Sequence, residues 1–147
     1  QQLIAESLGK KQKGLIPIVS LAPKDNHSLL QLYLDGPKDK IFYIFSEDTN
    51  NDKKIRIQKA DQNMNFLRNK NLTQIKDAQR NAFIKVLKKN NIPFREFKIK
   101  DFSESTLGEF LSYFMLETAI IGKLLNINPF DQPAVEQIKV NTKELLV

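Results

Sequence analysis

Gln2 and Glu6 stand four residues apart, a spacing that puts an amide and a carboxylate on one face of a helix. Ser7, Gly9 and Lys10 follow in a turn that ends that helix. Near the other end of the chain, Gln132 and Lys139 are seven apart. That is two helical turns with a drift of about 20°, so a second amide and an ammonium are expected to project together. The single histidine, His27, lies in PKDNHSLLQLY, in the first turn of a helix that Asp25 or Asn26 can cap. These are residue types that move protons and steady charge. A carboxylate serves as a general base, an imidazole exchanges protons near neutrality, and an ammonium meets developing oxyanion charge. A helix N-terminus also disfavours imidazolium, which helps keep a ring able to accept a proton. Spacing alone equally allows a surface glutamate, a capping histidine and a solvated polar stripe.

The elements that must position these groups follow from periodicity. Leu107, Phe110, Leu111, Phe114, Met115, Ile121, Leu124 and Leu125 recur at helical spacing behind a Thr106/Glu109 capping box. Leu116, Ala119 and Ile120 widen that stripe until both sides demand cover, which predicts a central buried helix. Asn126 to Pro129 ends it, and another helix starts near Asp131, with Val135, Ile138 and Leu145 on its apolar face. LIPIVSLA (15–22) reads as a buried parallel strand leading to His27, with KIFYIFS (40–46) and Phe94 to Ile99 as further strands. Residues 54–58 form a weaker candidate. Residues 60–72 look irregular, anchored by Met64, Phe66 and Leu67. Thr73 is expected to cap an amphipathic helix with Ile75, Ala78, Ala82, Phe83, Val86 and Leu87 inside and Asn90 and Asn91 as its stop. Strands alternating with helices predict an α/β sandwich with a mainly parallel sheet.

Composition narrows the classes. A chain of 147 residues that is 41% hydrophobic supports one domain with a sizeable core. Glu109, Glu117 and Lys123 interrupt the most apolar helix, so no run reaches the roughly 18 to 20 uncharged residues that cross a bilayer. No signal peptide is evident and there is no cysteine, which excludes disulfides and thiolate metal sites and suits a reducing cytoplasm. The net charge is +6 with a pI near 9.5. The basic runs at Lys10–Lys13, Lys53–Lys59 and Lys85–Lys89 carry no interleaved aromatic platform and are diluted by 17 acidic residues. A solvated basic surface fits better than nucleic-acid binding, and its field favours an anionic substrate.

Two motifs go further. GKLLNINPFDQPAVEQIK (122–139) closely resembles the C-terminal signature of the glucose-6-phosphate isomerases: a glycine, apolar residues, an aromatic-Asp-Gln corner and a Val-Glu-x-x-Lys helix. QLIAESLGK (2–10) resembles the same family's Gln-x-x-x-Glu-Ser-x-Gly-Lys hallmark, and NHSLLQLYLDGPKDKIFYIF resembles its histidine segment, with Asn26 in place of the more usual polar partner. The resemblance covers both ends of the chain strongly and residues 47–72 poorly.

The resemblance implies a flavodoxin-like sugar-isomerase (SIS) domain, a three-layer sandwich. Residues 1–147 would be the C-terminal part of it, and the start at Gln1 rather than Met suits a fragment. It implies isomerisation of glucose 6-phosphate to fructose 6-phosphate through an enediol, a step of glycolysis and gluconeogenesis. Glu6 would be the catalytic base, with partial burial raising its pKa, His27 and Lys139 would open the ring, and Gln2 and Gln132 would bind the substrate. His27 would serve a neighbouring subunit's site in a homodimer. An upstream SIS domain of the same chain would supply a Ser/Thr phosphate loop and an arginine for the enediolate, so the isolated fragment is expected to be inactive. No cofactor and no metal is implied, and neither nucleic acid nor membrane is expected as a partner. The competing class is a non-catalytic SIS module that binds sugar phosphates without converting them.

Overall fold

The computed structural model describes residues 1–47, 56–59 and 61–147, and these form two compact units. Both ends of the chain build the first, Gln1–Val19 with Ser103–Val147, and Ser20–Phe102 builds the second. The architecture is α/β with helices predominating.

In the first unit, α1 (Gln2–Leu8) packs on α4 (Glu104–Leu124), and α5 (Pro133–Leu145) follows. Leu8 is fully buried, and Ser7, Thr118, Gly122 and Ile127 are buried with it. α4 starts earlier than its sequence suggests: Ser103, not Thr106, is the N-cap, and its hydroxyl accepts from the Thr106 amide at 3.3 Å. Its other end is as expected, with Asn126 at φ +55° and the Ile127 amide bonded back to the Gly122 carbonyl. Gly122 is dictated by the corner that follows. A Cβ there would stand 3.0 Å from the Pro129 ring, so a side chain would require the corner to shift.

α4 is not the central buried helix that its composition predicts. Leu107, Leu111, Met115, Leu116 and Ile120 are all more than half exposed, as are Ile138 and Leu145 of α5. The apolar pattern specifies cover on two sides, and among the described residues α1 supplies it on one. LIPIVSLA (15–22) is also corrected: it forms no strand and has no strand partner among the described residues, and Ile16 is 90% exposed. An apolar run can pair only where a neighbouring strand presents its edge, which sequence periodicity does not report.

The second unit holds α2 (Asn26–Asp35), β1 (Phe42–Glu47), α3 (Leu72–Lys89) and β2 (Phe94–Ile99). β1 and β2 pair in parallel with Phe42 opposite Phe94, as a crossover through a helix requires. The Phe42 ring meets Tyr33 of α2 and Phe83 of α3 edge-on, at 5.2 and 5.6 Å, and Ile84, Leu87 and Ile92 are buried. On the opposite face Phe45 stacks on Phe97 at 4.9 Å but stays half exposed. The described sheet therefore has two parallel strands with helices on the Phe42 face, short of the three-layer sandwich expected.

Several local expectations shift. Asn71, not Thr73, caps α3, in a reciprocal box with Gln74. The helix buries Ile84 and Leu87, whereas Ala78 and Ala82 face solvent. Asn90 caps its end and Asn91 takes φ +53°. Gln62–Leu67 is a pair of 3-10 turns broken at Met64, and Met64 and Phe66 are exposed rather than anchoring. Of the weak strand at 54–58, residues 54 and 55 lie outside the described residues and Arg56 makes one bridge to Asn71. No described helix is long and apolar enough to cross a membrane.

Candidate functional site

The first unit brings the two motifs together. On α1, the Gln2 amide donates to Glu6 Oε1 at 3.0 Å, the helical i, i+4 contact that the spacing predicts. Gln132, 126 positions away in sequence, donates to the other oxygen, Oε2, at 3.3 Å. One amide on each oxygen fixes the plane of the carboxylate, and a carboxylate has about four lone-pair sites, so two remain to take up a proton.

Gln132 reaches Glu6 for a reason that its distance from Lys139 conceals. It is not part of α5 but its N-cap, at φ −140° and ψ 61°, and its side chain makes no capping bond. Pro133 at the first helical position explains this: a residue before proline is pushed out of the helical region, and proline is well suited to open a helix. The expectation that Gln132 and Lys139 share one helical face is thus corrected. Lys139 donates instead to Glu136, one turn back on α5, at 2.6 Å, and both side chains are 65% exposed.

Below this trio, two lysines tie the end of α1 to the α4–α5 corner. Lys10 Nζ meets Asp131 Oδ1 at 2.9 Å and the Asn128 carbonyl at 2.5 Å, and Lys13 Nζ donates to the Leu125 carbonyl at 2.8 Å. The Lys10 ammonium hydrogen-bonded to Asp131 holds that carboxyl below the usual aspartate range, and the Asn128 side chain acts in the same direction. Between the lysines, Lys11 and Gln12 take φ +52° and +61°, and backbone bonds close the turn in both directions between Lys10 and Lys13. Left-handed conformation at two non-glycine residues is strained, and it persists only where the surroundings over-determine it. The grip of both lysines on the corner is that surrounding. Gly14 continues at φ +127°, where a Cβ would meet the Leu8 carbonyl oxygen at 2.7 Å.

These contacts account for Lys10 and Lys13 of the first basic run, which bind protein carbonyls and one aspartate. In the sequence Lys10 belongs to a turn and Asp131 to a helix start, with no partner indicated for either. Their opposite charges were the only signal, and across more than a hundred residues charge alone does not choose partners.

Glu6, Gln2 and Gln132 are all exposed, so the burial expected around Glu6 is not supplied by the described residues. His27 belongs to the second unit. It is the second residue of α2 and is exposed; Asp25 is the N-cap, but its carboxylate accepts from the Leu21 amide rather than from the helix. Among the described residues no strand precedes it. A cleft of about 640 Å³ also lies in the second unit, between Ile57 and Arg68, and none of the five candidate residues lines it. Among the described residues no group of three or more His, Asp or Glu could hold a metal ion.

No protein-family model matches the chain. It is 34% identical to the glucose-6-phosphate isomerase of Methanocaldococcus jannaschii over 140 residues, 95% of this chain and 34% of that protein. It is 37% identical to a probable glucose-6-phosphate isomerase of Methanococcus maripaludis over 146 residues, 99% of this chain and 32% of that protein. Among solved structures, a hypothetical protein of Thermus thermophilus superimposes with a TM-score of 0.80 at 30% identity, covering 99% of this chain and 37% of that one. The chain spans about a third of the length of the curated relatives it matches.

Proposed function

Because this chain is a relative of the glucose-6-phosphate isomerases along nearly all of its length, we propose that it is the C-terminal SIS portion of an enzyme that interconverts D-glucose 6-phosphate and D-fructose 6-phosphate. The observation that carries this reading is the Glu6 carboxylate, held on one oxygen by Gln2 and on the other by Gln132. Aldose–ketose isomerisation moves one proton between neighbouring carbons. A base of fixed orientation with free lone pairs can remove that proton from C2, leave a cis-enediol, and return it to C1.

In this reading Gln2 and Gln132 are shared between the base and the substrate, each amide keeping a second N–H and a carbonyl oxygen for sugar hydroxyls. Lys139 turns from Glu136 to the developing oxyanion when the sugar binds. His27 carries protons to and from the ring oxygen, in the neighbouring subunit's site of a homodimer. The full-length enzyme works in the cytoplasm and needs no cofactor, and its upstream SIS domain grips the phosphate.

The reading is tested by incubating full-length enzyme with glucose 6-phosphate deuterated at C2. Fructose 6-phosphate should form, with part of the label carried to C1 and part lost to water. Tight binding with neither product nor label loss would support a non-catalytic sugar-phosphate module instead.

A second expectation separates ring opening from proton transfer. His27→Ala should lower kcat/KM for the cyclic sugar phosphate by about 10² or more, and that for an open-chain analogue much less. Equal losses on both would assign His27 another task.

A further inference from the structure

The Glu6–Gln132 contact is closed into a ring by the turn that follows α1. From Glu6 the chain runs two residues past the end of α1 to Lys10, whose ammonium crosses to Asp131 and to the Asn128 carbonyl. Gln132 is the residue after Asp131, and its amide returns to Glu6 at 3.3 Å. We propose that Lys10 is a positioning residue: it clasps the Asn128–Asp131 corner to the end of α1 and thereby sets Gln132 against the carboxylate of Glu6.

The geometry of Lys10 suits this task better than that of a surface charge. Its side chain is only 9% exposed, whereas its partner Asp131 is 54% exposed. A largely buried ammonium is costly unless its donors are used, and two of its three are engaged by the corner. Its backbone is held as firmly, with the Lys10 amide shared between the Leu8 and Lys13 carbonyls and the Lys13 amide returned to Lys10. The corner is equally defined on its own side, because the Asn128 side chain accepts from the Phe130 amide at 3.1 Å and Pro129 seats on Gly122. Lys13 holds the Leu125 carbonyl at the start of the corner, whereas the Lys10 ammonium grips Asn128 and Asp131, and Gln132 stands next to that second joint. Gln132 has no capping bond of its own to hold it there.

This inference rests on Glu6 being the base, and the experiment separates the two. In the full-length enzyme, Lys10→Met keeps the aliphatic stem and removes the charge. It should lower kcat/KM by up to about 10²-fold, the loss expected for a small misplacement. Rates are taken per folded site, from the unfolding transition of each variant. Because Lys10 acts through Gln132, adding Lys10→Met to Gln132→Leu should cost little more, under about threefold. Lys10→Arg should recover part of the loss. Asp131→Asn, the milder variant should Lys10→Met not fold, leaves the Asn128 carbonyl bond and should show a smaller loss with the same dependence on Gln132. Glu6→Gln in parallel reports on the base alone. With Glu6→Gln inactive, Lys10→Met within about threefold of the parent overturns the clasp and leaves the base standing. Losses of Lys10→Met and Gln132→Leu that multiply in full overturn it as well, since they mean that Lys10 acts by some route other than Gln132.

Discussion

Glu6→Gln in the full-length enzyme should lower isomerisation by about 10² to 10⁴ while leaving substrate affinity nearly unchanged. Glutamine has the shape of glutamate and can still meet Gln2 and Gln132, one through its carbonyl oxygen. What it lacks is a lone pair basic enough to take a proton from carbon. An interaction made only in the transition state is lost, so kcat and kcat/KM should fall together and KM should hold. The measurement is exchange of the C2 proton with solvent alongside turnover. Wild-type exchange in Glu6→Gln would remove Glu6 from the chemistry. The same variant with exchange lost but KM raised a hundredfold would make Glu6 a substrate contact instead.

The 147 residues purified alone should turn over at least about 10⁴-fold more slowly than the full-length enzyme, although they carry Glu6, His27, Gln132 and Lys139. Glu6, Gln2 and Gln132 are exposed, and Lys139 is 65% exposed, so water competes for every donor and acceptor in the group. Binding energy from a non-reacting phosphate positions a sugar for reaction, and in the proposed reading that grip lies upstream. Misplacement by 1 Å costs about 10²-fold and a missing electrostatic stabiliser about 10² to 10³, and such factors multiply. The uncovered apolar face of α4 adds a practical requirement, since exposed patches of that kind promote association. The assay couples glucose 6-phosphate formation from fructose 6-phosphate to a dehydrogenase, with protein free of host isomerase and monitored for aggregation. Turnover within tenfold of the full-length enzyme would show that the 147 residues hold a complete site.

What the sequence determined by itself is whatever depends on near neighbours. The Gln2–Glu6 contact follows from their i, i+4 spacing on a helix, and the bond at 3.0 Å is the result. The same holds for the stop of α4 at Asn126, for the stop of α3 at Asn90 and Asn91, and for β2 at Phe94–Ile99. Local misreadings were near misses among adjacent polar residues: Ser103 against Thr106, Asn71 against Thr73. Either hydroxyl or amide can cap, and the choice is made by which one the packed helix leaves at its edge. The family was legible because motifs at both ends agree.

Tertiary structure decided what depends on who covers whom. Apolar residues all round α4 and along LIPIVSLA state a demand for burial, and nothing in their spacing names the surface that meets it. Among the described residues, two parallel strands with helices on the Phe42 face came from the same sequence that suggested a full sandwich. The meeting of Gln132 with Glu6 belongs here too. A helical wheel assigned Gln132 to the face of Lys139, but Pro133 holds it outside the helix, and a corner clasped by Lys10 and Lys13 turns it toward α1. Charge and amide partners separated by more than a hundred residues are chosen by the path of the backbone between them, and that path exists only once the chain has folded.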